Sequence, residues 1–68
     1  MKFTVFLANG TEFASEAVDV PPMDRKKTEE TMARQFMHPA SFAVRLEVGG
    51  IAYIPQELMR TAIVMMEW

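Results

Sequence analysis

The chain contains no cysteine and a single histidine, so neither a disulfide nor a multi-ligand metal site is expected to staple it. It also lacks a long apolar run. The longest near its C-terminus, "AIVMM", is far short of the roughly 20 residues that span a bilayer. The opening "MKFTVFLANG" stops being apolar at Asn9-Gly10, before the roughly 7–15 residues of a secretory core are reached. With no export signal and no cysteine, the expected location is cytoplasmic, with no membrane partner. Charge of one sign is missing as well: the formal net charge is −2, too small to imply a dedicated nucleic-acid or membrane surface, although a local basic patch remains open. No internal repeat, nucleotide-binding loop or cofactor motif is visible, and no cofactor is expected.

What is present is a chain of 68 residues, half of them hydrophobic, read as a single domain over residues 1–68. A domain of this size buries only about 60% of the surface of its unfolded chain. Self-association is therefore the expected source of additional stability.

Residues 2–8 read as a strand, and Asn9-Gly10 as a two-residue hairpin turn. That turn would pair Phe6 with Phe13, Leu7 with Glu12 and Val5 with Ala14. In "TEFASEAVDV" the apolar parity switches near Ser15 to Ala17, which predicts a β-bulge there. Pro21-Pro22 ends this strand. Asp24 is the expected N-cap of a helix over about 24–37, whose end is set by Pro39. Its apolar stripe is Met32, Ala33, Phe36 and Met37, and its first turn, Arg25-Lys26-Lys27, has the wrong charge for a helix N-terminus.

In "SFAVRLEV", Phe42, Val44, Leu46 and Val48 alternate with Ser41, Ala43, Arg45 and Glu47, the period of a strand with one buried face. A two-residue turn at Gly49-Gly50 would pair Val48 with Ile51, Leu46 with Tyr53 and Arg45 with Ile54, adding Ile51 and Tyr53 to the buried face. Pro55 stops that strand, and "PQEL" reads as a tight turn. The last segment fits a helix with Leu58, Ala62, Ile63 and Met66 on one side. It also fits a strand apolar on both faces, and β-branched "TAIV" favours the strand.

The fold class expected is α+β, a small bent antiparallel sheet or partly open barrel in the order ββαβββ. In "VGGIAYIPQELMRTAIVMME" a glycine-turned hairpin, an "IP" stop, a short turn and a closing strand resemble the second half of small Sm-like and SH3-like barrels. The helix between the second and third strands departs from the Sm order, so that family's RNA-binding residues are not carried over. The chain also resembles phage accessory proteins in size, which implies a role against a host or its defences.

Candidate chemistry is sparse. His38 is the one side chain whose unperturbed pKa lies near neutrality, which makes it a general-base or pH-switch candidate, but the reading favoured is a histidine at a helix C-terminus, stabilised by the macrodipole. Glu12 and Glu16 share a strand face about 13 Å apart, too far for paired glycosidase carboxylates. Arg25, Lys26, Lys27 and Arg45 are the candidates for anion or nucleic-acid contact, although Arg25-Lys26-Lys27, partly neutralised by Glu29 and Glu30, reads more readily as a solvated face. Tyr53 beside Arg45 would make a base-stacking surface, but the expected register sends them to opposite faces. Met59, Thr61, Ile63, Met65, Met66 and Trp68 are the candidate oligomer or partner interface, since a final strand apolar on both sides has only one face to give its own sheet. The alternative for Trp68 is an anchor folded back on its own core. The expectation is a homo-oligomeric, non-enzymatic interaction protein that binds and regulates or inhibits an unidentified partner protein. The alternative is an oligomeric barrel that binds single-stranded nucleic acid or a nucleotide.

Overall fold

The computed structural model describes residues 1–37 and 41–68. The elements are β1 (Lys2–Phe6), β2 (Glu12–Ala14), a 3₁₀ turn (Pro22–Asp24) running into α1 (Arg25–Met37), β3 (Phe42–Arg45), β4 (Ile51–Ile54), α2 (Gln56–Met59) and β5 (Ile63–Glu67). The fold is α+β. Its strands form two antiparallel sheets, ordered β2-β1-β5 and β3-β4, and the described residues close no barrel.

Both hairpins turn in the same way, with three loop residues instead of two. Gly10 N–H donates to the Leu7 carbonyl (3.0 Å) and Leu7 N–H to the Thr11 carbonyl (2.8 Å); Gly49 N–H donates to the Leu46 carbonyl (2.9 Å) and Leu46 N–H to the Gly50 carbonyl (3.0 Å). Gly10 and Gly49 have φ of +91° and +98°, the left-handed position that follows a type I turn in three-residue hairpins. A two-residue I′ turn would need positive φ at Asn9 too. Asn9 instead keeps negative φ, and its Oδ1 accepts the Thr11 N–H at 2.9 Å, an Asx-type turn.

Longer loops correct both expected registers. In the first hairpin Val5 faces Phe13 and Phe6 faces Glu12, so the Phe6–Phe13 pair is not formed. In the second, Arg45 faces Ile51 and Ala43 faces Tyr53. The shift in pairing is odd, and every side chain of β4 changes face. Ala52 and Ile54 point inward, whereas Ile51 and Tyr53 point outward and Tyr53 is 77% exposed. Val48 lies in the turn itself, 91% exposed. The buried roles expected for Val48, Ile51 and Tyr53 are thus overturned.

The parity switch at Ser15 has the expected cause. Ser15 N–H donates to the Phe3 carbonyl, whereas Val18 N–H, one residue later than a regular ladder allows, donates to the Met1 carbonyl, both at 2.8 Å. One extra residue therefore lies in the strand between Ser15 and Val18, a bulge. At the same point the chain reaches across to β3: Ser15 bridges Leu46, Glu16 N–H donates to the Arg45 carbonyl and Glu47 N–H to the Ala14 carbonyl. Ser15 is buried, and its Oγ accepts the Phe3 N–H at 2.8 Å. This corner joins the two sheets.

Val5, Leu7, Val44, Ile54 and Met59 form the buried cluster, with Phe3, Phe13, Phe36, Phe42, Leu46, Ala62 and Val64 packed around it. The core faces of the two sheets meet there. The helical run starts at Pro22, ahead of the expected Asp24 cap, because proline at the first helical position supplies the φ that a helix start needs. The helix then touches the sheets along one line. Thr28, Met32 and Phe36, four residues apart, are half-buried, while Ala33 and Met37 of the expected stripe are exposed. The Phe36 ring lies 5.1 Å from Phe42, which in turn meets Phe3 edge-on at 6.0 Å.

Candidate functional site

The final segment is a strand, and it lies at the edge of its sheet. Among the described residues β5 pairs with β1 alone, Phe3 opposite Met66, Thr4 opposite Met65, Val5 opposite Val64 and Phe6 opposite Ile63. Val64 and Met66 therefore share the face of Phe3 and Val5 and turn inward. Ile63 and Met65 share the opposite face with Thr4 and Phe6; they are 66% and 51% exposed. Lys2 and Glu67 stand opposite each other at one end of this face and Glu12 faces Phe6 at the other. An apolar strip with a charged rim is the usual composition of a contact surface.

Of the residues expected at the interface, Ile63 and Met65 lie on this strip, and Thr61 is exposed in the turn before it. Met59 is not at the surface: α2 carries it into the buried cluster, where it is 7% exposed. Met66 faces inward. Phe6 was not among the candidates, since the two-residue turn would have paired it with Phe13, and it is the register that puts it beside Ile63.

Trp68 folds back onto α1. Its Nε1–H donates to Glu29 Oε1 at 2.9 Å, and the Arg25 guanidinium carbon lies 5.3 Å from the ring centroid, within cation–π range. Trp68 remains 43% exposed. The C-terminal end of β5 and the first turns of α1 are thereby tied together.

The basic candidates are dispersed. Arg25 is engaged with Trp68, and Lys26 is exposed on α1. Lys27 lines a shallow cleft of about 340 Å³ with Asp24, Thr28 and Met32. Arg45 lines a different cleft of about 320 Å³, with Phe3, Glu16, Met32 and Phe42. The outward face of β3-β4 does unite Arg45, Ile51 and Tyr53, side chains that the expected register would have separated. His38 lies outside the described residues, and among the described residues no three His, Cys, Asp or Glu side chains group as metal ligands. No described helix is long and apolar enough to cross a membrane.

Comparison with protein-family models, with curated proteins and with solved structures finds no match.

Proposed function

We propose that this chain is a non-enzymatic interaction protein that binds through the open edge of β5 and the apolar strip beside it, associating with itself and regulating or inhibiting a partner protein by occupying its surface. The carrying observation is that, among the described residues, β5 is an unpaired edge whose outward residues, Ile63 and Met65, are both exposed. Soluble proteins normally blunt such an edge with lysine, proline, a bulge or a covering loop. Within Ile63–Glu67 the one charge is Glu67, at the very end. An edge left in this state serves strand addition, in which main-chain hydrogen bonds supply affinity and alternate side chains supply specificity.

The same reading takes the five strands as one bent sheet, β5-β1-β2-β3-β4, folded at Ser15 into a partly open barrel with β5 and β4 as its free edges. Sedimentation equilibrium on the full chain is the test. A mass that rises with concentration through the micromolar range supports the reading, and a constant 7.8 kDa overturns it.

A second reading draws on the outward face of β3-β4. Arg45 and the exposed Tyr53 on neighbouring strands are the pairing that stacks and neutralises single-stranded nucleic acid. Fluorescence anisotropy of labelled single strands at low salt decides it: binding that Tyr53→Ala abolishes would favour this reading, and no change in anisotropy removes it.

A further inference from the structure

We infer that the partner at β5 is a second copy of the chain, paired antiparallel about a two-fold axis through Val64, so that Ile63 of each copy lies opposite Met65 of the other. This rests on the reading of β5 as the binding edge. It adds the occupant and the register.

The first support is area. The chain exposes 5018 Å², against about 4400 Å² expected of a compact monomer of its 7.8 kDa mass. The surplus, about 600 Å², approaches the roughly 800 Å² that one side of a standard interface removes. That surplus belongs to the whole chain, a slab measuring 35 × 27 × 16 Å, with exposed Met23, Val48 and Tyr53 sharing in it, so area argues for a covered surface and register argues for its place.

The second support is self-complementarity. Residues opposite each other across an antiparallel ladder point to the same face, so a two-fold β5 pair must be centred on a residue. Centred on Val64, the outward pairs are Ile63 with Met65 and Met65 with Ile63, and the central inward pair is Val64 with itself. Glu67 then falls beside Thr61 of the second copy, past the end of the strand. Centred on Met65 instead, Glu67 would be set against Ile63, a carboxylate on an apolar side chain. Centring on Val64 joins the two apolar strips, each carrying Phe6 behind Ile63, into one continuous outer face. The other free edge is a poorer choice: β4 has four residues, closed off by Gly50 before it and by Pro55, which has no N–H, after it.

The register makes a charge-swap test possible. Ile63→Lys and Met65→Glu each place an unpartnered charge in the seam, and each is expected to weaken dimerisation at least tenfold in sedimentation. The double variant sets Lys opposite Glu twice and is expected to recover to within about threefold of wild type. Ile51→Lys, on the β4 edge, should leave the dimer unchanged. As a measurement on the wild-type chain, amide exchange of the β5 N–H groups directed away from β1 should slow as protein concentration rises.

Single variants that dimerise like wild type, a double variant no tighter than the singles, or β5 exchange indifferent to concentration would each overturn the inference. An assembly larger than a dimer, or one lost on Ile51→Lys, would overturn it while leaving self-association intact. A monomeric wild type would overturn the reading beneath it as well.

Discussion

Two glycines and one serine carry more of this fold than their size implies. Gly10 and Gly49 hold the left-handed position of equivalent three-residue turns, and a methyl group built on Gly49 meets nothing within 4 Å. Gly49→Ala therefore costs only backbone strain, about 1–2 kcal/mol, expected as a lower urea midpoint with an unchanged slope. Ser15→Ala removes the acceptor of the Phe3 N–H at the corner where β1, β2 and β3 meet. Leaving that donor unpaired is expected to cost about 1–3 kcal/mol, a large share of the few kcal/mol available to a domain of this size. The turn positions were legible, because Asn9-Gly10 and Gly49-Gly50 break the alternation on either side. The loop lengths were not. They depend on whether Asn9 adopts positive φ or bonds Thr11, and on whether Glu47 and Val48 extend the strand or enter the turn, alternatives close in energy for an isolated hairpin. That one choice decided the cross-strand partner of Phe6 and the exposure of Ile51 and Tyr53.

Helix α1 buries no residue completely, and it depends on contacts at its two ends. Phe36 meets Phe42 near one end; Arg25 and Glu29 hold Trp68 near the other. Such a helix belongs to the low-stability part of a structure. Trp68→Ala is expected to speed amide exchange through the first two turns of α1 at least fivefold while leaving β1 and β3 within a factor of two; equal loss of protection everywhere would show that Trp68 supports the core instead. Since Trp68 is the one tryptophan, its emission reports the same contact, and Glu29→Gln or Arg25→Ala should shift it towards that of exposed indole. The helix itself was legible between two prolines and His38-Pro39. Its contact line was not, because Met32, Ala33, Phe36 and Met37 are apolar all the same, and only the position of Phe42 selects the line through Met32 and Phe36. For β5, β-branched "TAIV" favoured the strand, and alternation separated Ile63 and Met65 from Val64 and Met66 without telling which pair turns outward.

At the scale of the whole molecule, two thin sheets joined at one corner enclose a core too small to use all the apolar residues the chain carries. The surplus was visible in "RTAIVMMEW" as a strand apolar on both faces. Its distribution was not visible: Met59 goes to the core and Trp68 to the helix, which leaves Ile63 and Met65, with Phe6 behind them, as the exposed strip. Long-range pairing of β1 with β5 makes that division, and no local pattern encodes it. The β5 edge is proposed to bind, and first of all to bind a second copy. Light scattering across a size-exclusion peak, run on wild type and Ile63→Lys side by side at micromolar concentration, tests it most directly. The predicted result is twice 7.8 kDa for wild type and 7.8 kDa for the variant; equal masses for the two would contradict it.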